Sequence, residues 1–107
     1  MLVKDITEKE FEQEVLNCEG VVVAKFYGSW CGPCKMLAGI LDGLSEEFNV
    51  IKVVNLNVDE AMNLAKEYSI MTVPTLIFFK DGAEVEKIVG FRNAKQLNLM
   101  RIAFLHQ

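Results

Sequence analysis

Residues 21–37 read VVVAKFYGSWCGPCKML and decide the fold. The first seven residues are apolar except for Lys25 and contain no turn residue, which is typical of a strand buried on both faces. Gly28 interrupts this strand, and apolar residues then recur at intervals of three and four, which predicts a helix. These apolar residues are Leu37, Ile40, Leu44 and Phe48. The stretch is therefore a strand-to-helix junction that carries two cysteines, Cys31 and Cys34.

Strands and helices alternate outward from this junction. Strands are predicted at residues 3–5, 21–27, 51–58, 75–79 and 85–89. One helix is predicted after Thr7, where Glu10 completes a capping box and Phe11, Val15 and Leu16 form an apolar face. Further helices are predicted from Asp59 as N-cap to about residue 68, and from about residue 93.

The order of these elements predicts an α/β fold. Strands that alternate with helices pair in parallel through crossover connections, whereas a hairpin around Lys80-Asp81-Gly82 adds antiparallel strands. We therefore expect a mixed, five-stranded central sheet with about four helices on its two faces. The 107 residues contain no linker or shift in composition, so a single domain over residues 1–107 is predicted.

Composition and charge argue against several classes of function. The chain is 51% hydrophobic and 24% charged, as in an ordinary globular domain. Its net charge of −4, with lysines scattered among acidic residues, argues against a nucleic-acid partner. No apolar run approaches the ~20 residues of a membrane helix. The N-terminus lacks the features of a signal peptide, so a cytoplasmic location is expected.

The spacing of Cys31 and Cys34 predicts redox chemistry or metal binding rather than structural cross-linking. At the head of a helix, free N–H groups and the helix dipole favour the thiolate, which attacks disulfides. Cys31 is the predicted nucleophile that forms a mixed disulfide, and Cys34 is the resolving thiol. Pro33 suits the first helical turn, and Gly32 leaves room for the backbone of another chain.

Two other uses of the cysteine pair are a zinc site and a structural disulfide. Zinc usually requires four ligands, and only Cys18 and His106 remain as soft donors, without forming a pair. No metal site and no cofactor are therefore expected. A structural disulfide conflicts with a reducing compartment.

Segments along the whole chain resemble the thioredoxin family. Residues 26–36 are similar to its active-site segment, and residues 73–75 are similar to its cis-proline loop. Residues 80–82 and 89–90 resemble its hairpin and its last substrate-facing turn. The Gly-Pro pair between the cysteines is typical of thioredoxins themselves, rather than of relatives with Gly-His, Pro-His or Pro-Tyr.

The resemblance implies a thioredoxin fold and a substrate-binding surface. Cys31 would be the exposed nucleophile, flanked by Trp30, and a cis Pro74 would face the cysteines. The substrate-binding residues that the resemblance implies are Trp30, Gly32, Pro33, Val73, Pro74 and Gly90. It further implies a monomeric thiol–disulfide oxidoreductase that reduces disulfide-containing client proteins in electron transport and cell redox homeostasis. Thioredoxin reductase would regenerate it.

Lys25 departs from the family pattern. Thioredoxins typically have a buried aspartate at this position, which is thought to manage the proton of the second cysteine, and a lysine where Asn55 stands. Two interpretations are open: Lys25 extends along apolar surface to water, or its amine lies partly desolvated beneath Cys34. In the second position, a cationic Lys25 amine would stabilise the Cys34 thiolate and make the protein less reducing, whereas a neutral amine would act as a base.

Smaller departures are Gly39, which stands where the family usually kinks the helix with proline, and the additional Cys18. Cys18 is interpreted either as inert or as a regulatory or dimer-forming thiol. The methionines and residues 78–79 are expected in the core. Two other functions fit the same residues. One is an oxidoreductase dedicated to a single partner, and the other is a binding module that clamps a partner around Trp30, Pro74 and Gly90 without redox chemistry.

Overall fold

Five strands form one sheet in the computed structural model, which describes residues 2–37, 51–93 and 95–96. They are β1 (Leu2–Asp5), β2 (Val21–Tyr27), β3 (Ile51–Asn57), β4 (Thr75–Lys80) and β5 (Ala83–Val89). Their order is β1-β3-β2-β4-β5, with β3 parallel to β1 and β2, and β4 antiparallel to β2 and β5. The predicted mixed, five-stranded sheet is confirmed, and β2, which leads into the cysteine pair, lies at its centre.

The β4–β5 hairpin closes through Asp81 and Gly82, as the Asp-Gly pair predicts. Both residues have positive φ angles, +50° and +84°, which two-residue hairpin turns require. The turn is tied to the loop before β2, because the Gly20 N–H donates to Asp81 Oδ1 at 2.7 Å. A Cβ atom at Gly82 would collide with the Leu16 carbonyl oxygen, so the turn also packs against the first helical segment.

The first helical segment consists of a 3₁₀-helical turn, Glu8–Glu10, followed by a short π-helix, Glu12–Leu16. The Thr7 N–H donates to the Glu10 carboxylate at 2.9 Å, as the predicted capping box requires. Phe11 and Val15 are buried as expected, but Leu16, the last residue of the segment, is 38% exposed, so its place on the apolar face was wrongly predicted.

Two further helices are described. Residues 32–37 form α1, directly after Cys31, and Met62–Glu67 form α2. Asp59 is not the N-cap of α2, because the cap position is Ala61 and the Asp59 N–H donates to Asn57 Oδ1 in the preceding turn. The carboxylate of Glu8 accepts the Leu64 N–H at 2.8 Å instead, so a residue from another element caps this helix.

The described residues contain three helical segments, fewer than the four or so expected. Gly39 and most of the predicted last helix lie outside the described residues. The start of that helix is described: residues 95–96 are helical, and Asn93 and Gln96 exchange two backbone-to-side-chain hydrogen bonds of 3.1 and 2.9 Å. No helix in the described part of the chain is long and apolar enough to cross a membrane.

One face of the sheet carries a continuous apolar core. Val22, Ala24 and Phe26 of β2 point into it, and all three side chains are fully buried. The first helical segment and α2 cover this face. One ring from each, Phe11 and Tyr68, meets Phe79 of β4, with ring centroids 5.6–5.9 Å apart. Strand alternation therefore sends Lys25 to the opposite face, where α1 lies.

Candidate active site

A tight junction joins β2 to α1 and carries the cysteine pair. β2 ends at Tyr27, and the Cys31 N–H donates to the Gly28 carbonyl at 3.1 Å, which closes the turn. Helical residues follow from 32 onward. Cys31 and Cys34 are joined by a disulfide, with their Cα atoms 5.3 Å apart. The predicted redox pair is therefore close enough to form and break a sulfur–sulfur bond.

The backbone of the first helical turn is directed at the leading sulfur. The Cys34 N–H points at Cys31 Sγ, with the nitrogen 3.1 Å from the sulfur. A hydrogen bond to the charged form favours that form, so this donor stabilises a Cys31 thiolate when the disulfide is open. Cys31 is 4% exposed and Cys34 3%, so both are buried and Cys31 is not the exposed nucleophile that the resemblance implied.

The loop before β4 lies against the same sulfur. The Val73–Pro74 peptide bond is cis, as the resemblance implied, and the Val73 carbonyl oxygen lies 3.8 Å from Cys31 Sγ. The Gly90 N–H donates to the Pro74 carbonyl at 2.8 Å, which brings the end of β5 to this loop. The structure therefore gathers Cys31, Val73, Pro74 and Gly90 at one end of the sheet.

Trp30 forms an exposed wall beside the cysteines. Its side chain is 71% exposed and lies over Gly28, where an added Cβ would approach the indole Cε2 to 2.9 Å. Trp30 and Val73 line one groove of about 320 Å³. Gly32 and Pro33 are exposed at the start of α1. The predicted substrate-binding residues thus surround the disulfide on its open side.

The groove also contains a residue that the sequence interpretation missed. Met71 lines it together with Ile70, and it is 91% exposed rather than part of the core. Met36 and Met62 are exposed as well, so the core placement of the methionines was wrong for these three residues, whereas Phe78 and Phe79 are buried as expected. Hydropathy alone does not separate a core methionine from one at a groove. The position of Met71, two residues before the cis-proline loop, was the available signal.

Lys25 lies beneath the second cysteine. It is 6% exposed, which argues against the interpretation in which its amine extends freely into water. Lys25 and Cys34 line one cavity of about 240 Å³, with Asn55 beside Lys25 on the neighbouring strand. The Lys25 Nζ atom lies 5.7 Å from the centroid of the Tyr27 ring. The cavity therefore places a basic side chain next to the resolving thiol.

The described residues do not complete a metal site around the pair. Cys18 is a free, partly buried cysteine, and His106 lies outside the described residues. Within residues 2–37, 51–93 and 95–96, no group of three or more His, Cys, Asp or Glu side chains is arranged to hold a metal ion. The two cysteines are instead at disulfide distance, next to a helix N-terminus and an open groove. This arrangement defines a thiol–disulfide oxidoreductase site.

Comparison with known proteins agrees with this site. The thioredoxin family profile matches residues 2–101. Thioredoxin from Bacillus subtilis is 42% identical over 98 residues, which cover 91% of this chain and 92% of that protein. Thioredoxin from Listeria monocytogenes is 41% identical over 98 residues (91% and 93%), and thioredoxin from Porphyra purpurea is 41% identical over 91 residues (84% and 85%).

The chain belongs to the thioredoxin family. Like its relatives, it is a thiol–disulfide oxidoreductase that works through Cys31 and Cys34. Its fold, its cysteine pair at disulfide distance and its cis-proline loop follow the pattern that residues 26–36 and 73–75 predicted.

Proposed function

We propose that the protein is a general reductant of disulfides in client proteins, and that Cys31 is the attacking sulfur. One observation carries this assignment: the Cys34 N–H lies 3.1 Å from Cys31 Sγ and is placed to donate a backbone hydrogen bond to the Cys31 thiolate. The thiolate is the reactive species in exchange, so the sulfur that receives this donor is the better nucleophile.

The first step joins the client to Cys31. The Cys31 thiolate attacks one sulfur of the client disulfide, a new bond forms between the two sulfurs, and the second client sulfur leaves as a thiolate that takes up a proton. The Val73 carbonyl, 3.8 Å from Cys31 Sγ, is placed to accept a hydrogen bond from the client backbone. Gly90, hydrogen-bonded to Pro74, leaves space for that backbone.

The second step releases the client. The Cys34 thiolate attacks Cys31 Sγ, the bond to the client breaks, and the client's remaining sulfur leaves and is protonated. The client has then gained two electrons and two protons, and the protein holds the Cys31–Cys34 disulfide. Cys34 reaches Cys31 without a large movement, because the two Cα atoms are already 5.3 Å apart.

The open side of the site provides the client surface. Trp30, Gly32 and Pro33 are exposed around the disulfide, and the groove between Trp30 and Val73 is lined mainly by apolar side chains. Apolar contact and backbone hydrogen bonds do not depend on a client's particular sequence, which fits a reductant of many proteins. The protein works as a cytoplasmic monomer of one domain, and thioredoxin reductase returns it to the dithiol.

Reduction of insulin, with NADPH and a bacterial thioredoxin reductase, tests this function. We expect rapid precipitation of the insulin B chain and matching NADPH consumption, both absent in the Cys31→Ser/Cys34→Ser double variant. A folded wild-type protein that leaves insulin intact, even with dithiothreitol as reductant, would contradict the proposal. Turnover with dithiothreitol but not with the reductase would instead indicate a different electron donor, and poor turnover with both by a folded protein would favour an oxidoreductase dedicated to one partner.

A further inference from the structure

A row of polar side chains crosses the sheet beneath Cys34. The strand register pairs Asp5 of β1 with Asn55 of β3, and Asn55 with Lys25 of β2. Residues paired across neighbouring strands project to the same face of the sheet, so the three side chains lie in sequence from the edge to the centre. The row therefore begins with an acid at the edge and ends with a base beneath the cysteine pair.

The middle residue of the row has a defined orientation. Asn55 Nδ2 donates to Asp5 Oδ1 at 2.9 Å, and a carboxylate accepts hydrogen bonds only, so the amide turns its N–H side to Asp5. Asn55 Oδ1 is buried, with no hydrogen-bond partner in the described part of the chain. Asn55 lines the cavity shared by Lys25 and Cys34. The negative end of its amide dipole therefore lies on the Lys25 side of the row.

One further contact of Lys25 favours its charged form and opposes the effect of burial, which by itself favours the neutral amine. Its Nζ lies 5.7 Å from the Tyr27 ring centroid, within the range of a cation–π contact. The side chain is buried, and a charge in such a site acts more strongly on its neighbours than a charge in water does. The neighbour that changes charge during the reaction is Cys34, on the wall of the same cavity.

We propose that Lys25 is a positioning residue that holds a positive charge beneath Cys34 and stabilises the Cys34 thiolate of the reduced pair. The proposal rests on the redox function given above, and it names Lys25 as a residue that sets the redox potential of the cysteine pair. The disulfide form carries no charge on Cys34, so a cation in the cavity stabilises the reduced form selectively. It makes the protein a weaker reductant than the same chain with a neutral residue at position 25.

The equilibrium constant for exchange with glutathione measures this redox potential. In the oxidation direction, the reduced pair gives two electrons to glutathione disulfide, yielding the Cys31–Cys34 disulfide and two molecules of glutathione, whose sulfurs take up protons from solvent and from any thiol of the pair. The oxidised fraction can be read from the fluorescence of Trp30, the one tryptophan of the chain, beside the disulfide. An alkylation gel shift gives an independent value.

Lys25→Met is the principal variant, because methionine is similar in length and carries no charge. We expect its equilibrium constant for oxidation by glutathione disulfide to be about tenfold higher than that of the wild type, which is about 30 mV for a two-electron couple. Lys25→Gln, which keeps a polar end, should give the same shift and keeps the test available where Lys25→Met folds poorly. Lys25→Arg keeps the charge and should stay close to the wild type.

Lys80→Met is the matched control, since Lys80 lies at the far end of β4 and is also partly buried. It should leave the equilibrium constant unchanged. Equal constants in the wild type and the folded neutral variants would overturn the proposal, and so would an Arg variant that behaves like Met. Equal constants combined with slower exchange would show that Lys25 acts as a neutral base instead. A wild type that forms no Cys31–Cys34 disulfide with glutathione would refute the proposed function as well.

Discussion

The two faces of the central strand β2 do different work. On one face, Val22, Ala24 and Phe26 are fully buried in an apolar core against the first helical segment and α2. On the other, Lys25 lines a cavity beneath Cys34, next to the exposed end of the site. A residue-by-residue alternation thus separates packing from chemistry along seven residues of chain. Substitutions on the two faces should therefore change the free energy of unfolding and the redox potential independently.

The largest effect is expected from Phe26→Ala on the core face. Removing a fully buried phenylalanine leaves a cavity and costs about 3–5 kcal/mol of unfolding free energy, measurable by urea denaturation. The glutathione equilibrium constant of the remaining folded protein should stay within about twofold of the wild type, because the substitution removes no charge near Cys34. A shift as large as that of Lys25→Met would show that the two faces are coupled.

A smaller loss of stability is expected from Gly82→Ala, in the hairpin turn beyond the core. Gly82 has φ +84°, and an added Cβ would collide with the Leu16 carbonyl, so about 1–3 kcal/mol should be lost. Gly20→Ala is the matched control: its φ is also +84°, but nothing lies within 4 Å of the added Cβ. Equal losses for the two variants, measured by urea denaturation, would mean that the contact with Leu16 contributes nothing.

The reverse pattern, lost activity with little change in stability, is expected for Trp30→Ala at the exposed site. Surface substitutions usually change stability by less than about 0.5 kcal/mol. The kcat/KM for insulin reduction should fall about tenfold, or about 1.4 kcal/mol of transition-state stabilisation, because one wall of the groove is removed. Met62→Ala controls for exposed apolar area, since Met62 is equally exposed but does not line this groove. An equal loss in both variants would argue against a specific role for Trp30.

The smallest effect is expected at the edge of the sheet. Hydrogen bonds from Lys4 and Lys52 hold the pKa of Glu14 down at about 2, below the reference value of 4.5. A lowered pKa in the folded state contributes stability above about pH 4.5, and this contribution is lost as the pH falls from 4.5 to 2. Glu14→Gln should therefore be slightly less stable than the wild type at pH 7, and this difference should shrink as the pH falls through about 2. A difference that does not narrow in acid would exclude this ion pair as its source.

Local sequence patterns were sufficient to predict the central strand and the hairpin of the fold. The apolar run at residues 21–27, β-branched at its start, predicted the buried central strand. Asp81-Gly82 predicted the hairpin because few other residues accept two positive φ angles in succession. The cysteine spacing and the cis-proline loop located the site through their resemblance to one family. These features depend on residues close together in the chain.

The wrong predictions concern contacts between distant parts of the chain. Asp59 fits the N-cap pattern, but Glu8, more than fifty residues earlier, caps α2 once the chain has folded. Met71 is apolar and still 91% exposed, because it lies on a groove that forms between two loops. The sequence placed Lys25 in a buried strand, but its alignment with Asn55 and Asp5 depends on strand register, which the local pattern does not specify.

Trapping of a client by the Cys34→Ser variant tests the central claim, that Cys31 is the attacking sulfur. Without its resolving thiol, the reduced variant should accumulate a mixed disulfide with oxidised insulin that dithiothreitol releases, and mass spectrometry should place the link at Cys31. The Cys31→Ser variant should form no such complex. A link at Cys18, or no complex at all from a folded Cys34→Ser protein, would contradict the account.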